Sequence, residues 1–530
     1  MKNIKTKILI LLIIAILVVY IIYNISINKN IRVNNQENEI YKEKVIATNL
    51  RIGIIYFDTI NTILSTNTNI QNISRLIYEP LINLTQDFKL EPCLATEWSK
   101  LDKTSYIIKL RENVKWQDGE IFDSEDVIFT YEFLKDNKIK SIYSDNISNI
   151  KEIKIIDDYT IKIILDESMS YFEYNLTFPI ISSKYNNIYT EEKENGLIGT
   201  GMYYISSFED DSITLKQNNN WWSKKEMKLD TINLNLYDDI EVALKNFKSS
   251  NVDMIINHSE NIYEYIENLQ ANKINYVGSN YDYISFNCED SILQYKEIRQ
   301  AINYSIDKEE IINNVYNNQY KTSNFPLDFG FYLYSKNSKK VEYNLENAKR
   351  ILENAGWTYN TKNWSKKIDG ENKIIELEIL VDEDNQKRVK VAELIEEQIK
   401  KLGINIEIKK VSENEYKNNI ERKEYSIAII NNTYGYSPSL DLYFEKNNIS
   451  NYDGKNIINK MNQIEQENIE DKKRILLNEI IDEYNTEVPY ISLYYDTYTI
   501  VYSNNLIGEI EPNSYNVFYN IENWYREYDK

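Results

Sequence analysis

The sequence predicts an α/β fold built around a parallel sheet and divided into two or three lobes. The first observation is an alternation of strand and helix patterns between Lys373 and Ile430. Ile374 to Val381 is strand-like, Gln386 to Leu402 is an amphipathic helix ended by Gly403, and Ile404 to Val411 alternates again. Glu413 to Arg422 is helical and Tyr425 to Ile430 is a buried strand, which completes a βαβαβ unit. The second observation is length: 530 residues exceed what one hydrophobic core supports. The third is that no repeat of 20 to 50 residues and no long Pro- or Ser-rich linker divides the chain, so the lobes exchange strands instead of following one another.

The remaining elements follow in chain order. Residues Ile8 to Ile27 are apolar except for Asn24 and Ser26, a membrane-spanning length of about 30 Å as a helix. Lys2, Lys5 and Lys7 precede this run and predict a cytoplasmic amino terminus with the rest of the chain outside. The run offers no small-x-small cleavage site and no Cys follows it, so an uncleaved anchor is expected, with a cleaved signal peptide as the alternative. Residues 31–45 are polar and Asn-rich and read as a stalk. Tyr106, Ile108 and Leu110 alternate with Ile107, Lys109 and Arg111 as a half-buried strand, and Asp118-Gly119 supplies a turn. Asp123 caps a helix with Asp126 at its third position and Val127, Tyr131 and Leu134 on one face. Ile298, Ala301, Ile302 and Ser305 mark another helix, and Asp307 with Glu310 forms a capping box opening the next. A further helix runs from Asn344 to Ala355 and stops at Gly356.

Composition excludes several functions. The chain has 61 Lys plus Arg against 82 Asp plus Glu, a net charge of −21, and the ectodomain beyond residue 30 carries −25. Such a surface lacks the clustered cations that nucleic acid requires. One His, His258, cannot build a multi-histidine metal site, and it reads as a loop residue. Cys93 and Cys288 permit at most one disulfide and otherwise read as buried free thiols. Neither G-x-G-x-x-G nor G-x-x-x-x-G-K-[ST] occurs, so the common nucleotide cradles have no candidate. Acidic pairs such as Glu125-Asp126 and Glu309-Glu310 are accounted for by helix capping, and no nucleophile and base pair is recognisable, which leaves a hydrolase without a site. No cofactor, metal or catalytic residue is expected. The 45 Tyr supply apolar faces that each carry a hydroxyl. In an open parallel sheet the ligand crevice lies at the carboxyl ends of the strands, so the loop Asn431-Asn432-Thr433-Tyr434-Gly435-Tyr436 is the physical candidate for ligand contact.

A run of short motifs adds a resemblance. Glu79-Pro80-Leu81, Leu94-Ala95-Thr96-Glu97-Trp98, Leu110-Arg111, Val114-Lys115-Trp116-Gln117-Asp118-Gly119 and Asp123-Ser124-Glu125-Asp126-Val127 follow in order. Gly199-Thr200-Gly201-Met202-Tyr203, Asn220-Trp221-Trp222, Val252-Asp253, Glu297 to Ile302 with Ile306-Asp307-Lys308, Ala348-Lys349 to Ala355-Gly356, Leu402-Gly403-Ile404 and Pro489 to Tyr494 continue the series. Together they resemble the family 5 extracellular solute-binding proteins, the oligopeptide and dipeptide receptors of ABC importers, over roughly residues 76 to 500.

The resemblance implies a type II periplasmic-binding-protein-like fold, bilobal with an extra domain, here preceded by the transmembrane helix. Lobe I would comprise residues 46–75, 182–283 and 488–530, its extra domain 76–181, and lobe II 284–487, with two hinge crossings near 284 and 487. It also implies a binding protein that performs no chemistry, delivers peptides or a related small solute to ABC permease subunits, and works as a monomer; the apolar run at residues 8–27 adds the expectation that it is held at the cell membrane. In oligopeptide receptors the loop after the last lobe II strand carries an Asp that pairs with the peptide ammonium. The corresponding position here is Gly435 in one alignment and Tyr434 in another, so that carboxylate is missing. Asp441 could replace it after a loop shift, or could simply cap the next helix. Tyr434, Tyr436, Tyr494 and Tyr495 are the aromatics expected to face the cleft, and Trp221-Trp222 are expected in the core. The missing carboxylate also admits a second function, a membrane-anchored sensor or surface interaction protein derived from such a receptor.

Overall fold

In a computed structural model, the chain is described over residues 44–56, 58–136, 141–185, 197–257, 262–267 and 269–529. The expected anchor at 8–27, nearly all of the stalk, and His258 lie outside these residues. Among the described residues no helix is long and apolar enough to cross a membrane. Two compact units are distinguished, residues 1–47 with 526–530 and residues 48–525. In the first, Lys44–Ala47 pairs antiparallel with the carboxyl-terminal strand, Lys44 opposite Asp529 and Ala47 opposite Arg526.

The second unit is organised by an eleven-stranded mixed sheet. One end has the order Asn405–Val411, Glu376–Asp382, Ile427–Thr433, and all three strands are parallel as the βαβαβ reading predicts. The helix Gln386–Lys401 makes the first crossover and ends where Gly403 adopts φ +89°, a conformation that favours glycine. The other end of the sheet has the order Met254–Asn257, Asn49–Ile55, Thr231–Tyr237, Ser212–Gln217, Tyr203–Glu209. Two long antiparallel strands, Asn272–Phe286 and Tyr490–Tyr502, lie between the ends. Their register shifts between Val277 and Tyr281 and again between Asp282 and Tyr283. At the first shift a Cβ on Gly278 would lie 2.3 Å from an Asp496 carboxylate oxygen, so a larger residue there would have to displace that side chain.

Each end of the sheet has its own core. Leu50, Ile52, Leu234, Tyr203 and Met254 belong to one, together with the separate four-stranded sheet that contains Tyr106, Ile108 and Leu110. Ile298, Ile302, Ile395, Ile379 and Ile429 belong to a second. A third core is aromatic: Tyr281, Tyr283, Tyr443, Tyr484, Tyr490 and Tyr495 are buried. Their hydroxyls are mostly satisfied within it, as where Tyr281 donates to Ser492 Oγ at 2.6 Å and Tyr490 to the Tyr443 carbonyl at 2.9 Å. Much of the tyrosine content is therefore core with a polar handle.

The expected caps are present with one correction. Asp123 and Asp126 form the complete capping box. Asp307 accepts from the Glu310 amide at 3.0 Å, but the reciprocal arm is replaced: Gln398 Oε1 receives the Asp307 amide and Gln398 Nε2 donates to Glu310. The Asn344 cap, the helix Leu345–Asn354 and Gly356 at φ +85° agree with expectation. Cys93 and Cys288 are free, Cys93 buried and Cys288 half-buried.

Candidate functional site

The motif residues prove to be fasteners. Glu79 is buried, and its two carboxylate oxygens accept the indole N–H groups of Trp221 at 2.9 Å and Trp222 at 2.8 Å. Asp126 accepts from Trp116 Nε1 at 2.9 Å and from the Ser183 amide at 2.8 Å. Asp253 grips Arg51 at 2.7 and 2.9 Å. Arg299 is spent on the Leu293, Glu487 and Val488 carbonyls. A Cβ on Gly199 would lie 1.8 Å from the Ile77 carbonyl oxygen, and one on Gly201 would lie 2.7 Å from it. Saturated partners of this kind leave no group free for a ligand.

The loop singled out by the carboxyl-end rule behaves differently. Its first residues extend the strand: Asn431 Nδ2 donates to Asp282 at 3.0 Å and Asn432 Nδ2 to the Tyr283 hydroxyl at 3.1 Å. Burial pushes the Asp282 carboxyl up to about 6 against the pull of Arg388, which lies 3.6 Å away, and of Asn431. Tyr434 packs against Phe329 and Tyr495 at ring centroid distances of 5.1 and 6.3 Å, and its hydroxyl is buried without a partner. Gly435 is exposed, with nothing within 4 Å of where a Cβ would stand. Tyr436 stacks on Phe88 at 6.0 Å, meets Tyr515 edge-on at 5.0 Å and donates to the Ser514 carbonyl at 2.9 Å.

Three expected residues lie outside this loop, and within it Asn431, Asn432 and Tyr434 line neither of the cavities described below. Tyr494 and Tyr495 are core rather than cleft-facing, at 0% and 1% exposure, because their hydroxyls are held internally: Tyr494 by Tyr316 at 3.1 Å and Tyr495 by the Pro326 carbonyl at 2.5 Å. Asp441 opens the short helix Asp441–Phe444, its amide donates to Ser439 Oγ at 3.1 Å, and burial raises its pKa against the hydrogen bonds from Ser439 and Ser170. It lines neither of the cavities described next.

Two adjoining cavities, about 380 and 150 Å³, gather residues from distant parts of the chain. Gln71, Arg75, Ile142 and Tyr436 line both. The larger also touches Gly435, Ser437, Tyr143 and Asn175, and the smaller touches Tyr276, Ser279, Tyr498 and Tyr515. Two other cavities, about 540 and 690 Å³, are each lined within one region, residues 134–166 in one case and chiefly residues 444–458 in the other. Sequence reasoning missed Arg75, which stands in the last turn of the helix Thr68–Ile77, where a cation is ordinary. Only the arrival of Tyr436, Tyr515 and Tyr143 around it distinguishes it. The Tyr143 hydroxyl is taken by Gln71, and burial pushes its pKa up to about 12.

Comparison with known proteins agrees with this architecture. Residues 89–451 match the profile of the bacterial extracellular solute-binding proteins, family 5 Middle. The chain is 24% identical over 360 residues to the oligopeptide-binding protein AppA of Bacillus subtilis, a match covering 65% of this chain and 66% of that one. It is 23% identical over 485 residues to the oligopeptide-binding protein OppA of the same organism, covering 84% and 87%. In fold it resembles the periplasmic murein tripeptide binding protein MppA in its unliganded open form, with a TM-score of 0.79 at 18% identity over 92% of this chain and 99% of that one. With more than half of its length inside the family profile and a matching α/β architecture, the chain belongs to the bacterial extracellular solute-binding proteins of family 5.

Proposed function

We propose that the protein is the binding component of an ABC importer, taking a peptide or a related small solute between two lobes and presenting it to permease subunits. One observation carries the reading: the paired cavities draw on residues 66–75, 142–177, 276–279 and 498–515 on one side and on 435–437 on the other. These stretches fall on both sides of the boundaries 46–75, 182–283 and 488–530 for lobe I, 76–181 for its extra domain, and 284–487 for lobe II. The register shifts between Asn272–Phe286 and Tyr490–Tyr502 would serve as the hinge, since among the described residues these two long strands run from one core to the other. The chain binds and releases without chemistry, acts as a monomer, and is held at the outer face of the cell membrane by residues 8–27.

Purified full-length protein offered a defined peptide mixture should retain a subset that mass spectrometry identifies, and titration calorimetry should give saturable binding. A protein that stays empty and indifferent to peptides would overturn the reading. The absence of a carboxylate at Tyr434 and Gly435 favours a second reading, an anchored sensor that has lost import. Uptake of a retained peptide in cells carrying the gene, and its loss on deletion, would exclude it.

A further inference from the structure

The cavities contain one cation and no counterpart for it. The Arg75 guanidinium carbon lies 3.6 Å from the centre of the Tyr515 ring, and among the described residues Arg75 forms no ion pair with a carboxylate. Asp145 stands on the wall of the larger cavity but is exposed and unpaired with it. Of the hydroxyls nearby, Tyr143 is engaged with Gln71 and Tyr436 with the Ser514 carbonyl. Tyr276 and Tyr515 are different: both line the smaller cavity and are 6% and 1% exposed, and among the described residues their buried hydroxyls find no acceptor for their protons, that of Tyr515 meeting only the Arg75 guanidinium. A buried hydroxyl left unsatisfied is costly, so two beside one guanidinium without a carboxylate make an unusual concentration of idle donors.

We propose that Arg75 and the Tyr276 and Tyr515 hydroxyls form an anion subsite that takes a carboxylate of the bound solute. This rests on the solute-binding reading and reverses the polarity expected of the loop: the ligand is held by its acidic end, where an ammonium-capturing carboxylate is missing. A carboxylate fits better than a bulkier anion. The guanidinium edge presents parallel N–H donors to a planar acceptor, its face is already covered by Tyr515, and the subsite is about 150 Å³. The larger cavity beside Gly435 then receives the remainder of the molecule. Local charge has to overcome the ectodomain's net −25, so binding should not share the steep salt-driven steering of a cationic receptor.

The test uses full-length protein in detergent and four probes measured by calorimetry: tripeptides as free acids, the same tripeptides as C-terminal amides, amides containing an internal Glu, and glutarate. The free acids should bind at least tenfold more tightly than the plain amides, and Arg75→Gln should erase that difference while Arg75→Lys retains part of it. Recovery of affinity by the Glu-containing amides would assign the subsite to an acidic side chain, and no recovery would assign it to the peptide terminus. Equal affinity for acids and all amides, or a difference that survives in Arg75→Gln, overturns the proposal and leaves peptide binding standing. Arg75-dependent binding of glutarate with no peptide binding would do the reverse. If no probe binds, both readings fall. Should Arg75→Gln fail to fold, Tyr515→Phe, which removes only the hydroxyl, must reduce the preference for acid over amide, or the proposal is overturned.

Discussion

Glu79 and Arg75 stand four residues apart around the end of one helix, and their surroundings follow opposite rules. The Glu79 carboxylate has both oxygens taken by tryptophan N–H groups and is sealed from solvent. Arg75 has a tyrosine face on one side, open cavity on the other and, among the described residues, no carboxylate partner. A buried charge whose hydrogen bonds are complete holds a fold together. One whose bonds are incomplete is costly unless something outside the chain completes them. The contrast separates scaffold from site without reference to which residues form motifs, and four substitutions probe it.

The largest expected effect on stability is pH-dependent and concerns an intermediate case, Asp282, whose carboxylate has one amide donor and an arginine at a long 3.6 Å. Burial raises its pKa to about 6 from an unfolded value near 4, so the folded protein holds that proton more tightly than the unfolded chain. The contribution is complete below the unfolded value and is lost as pH rises through the folded one, a total decline of roughly 3 kcal/mol of which about 2 falls between pH 4 and pH 6. Asp282→Asn keeps an acceptor for Asn431 and removes the titration. Urea unfolding at pH 4, 5, 6 and 7 should show this slope in the wild type and a flattened one in the variant. Equal slopes would mean that Arg388 satisfies the carboxylate fully and that Asp282 belongs with Glu79.

Next comes Glu79→Gln. The amide offers one oxygen to two indole donors and turns its own N–H toward the second, so a buried donor loses its acceptor at a cost of about 2 kcal/mol. Ligand affinity should not change. Arg75→Gln should show the converse, a loss of less than about 1 kcal/mol from the tyrosine contact together with altered ligand preference. A stability loss at Arg75 matching that at Glu79 would break the comparison, because both groups would then be scaffold.

The legibility of these regions differs for the same physical reason. Tyr106, Ile108 and Leu110, the three parallel strands and the Asp123 cap could be read because each rests on neighbours within a few residues. The order of motifs pointed to the fold, yet nothing local revealed that Glu79 binds Trp221 and Trp222, or that Gln398 displaces one arm of the Asp307 cap. Alternation within Tyr490–Tyr502 could not separate a cleft-facing tyrosine from a core one, since a hydroxyl satisfied by Tyr316 or by the Pro326 carbonyl is invisible in sequence. The loop at 431–436 was reached by a topological rule, and Arg75, whose surroundings are assembled from three distant segments, was not reached at all.

The smallest expected change in stability accompanies the most direct test of the cavity. Gly435 is exposed, its backbone is outside the left-handed region that favours glycine, and open space surrounds the position of a Cβ. Gly435→Trp therefore meets no steric obstacle in the fold and should shift unfolding by less than about 0.5 kcal/mol, as at other surface positions. The indole would nonetheless occupy the larger cavity, whose volume of about 380 Å³ leaves little room for a ligand beside it. Binding of any retained peptide should fall at least a hundredfold while the thermal midpoint is unchanged. A Trp tolerated in both stability and binding would place the ligand elsewhere, and the cavities around Arg75 would then be no more than imperfect packing between the aromatic rings.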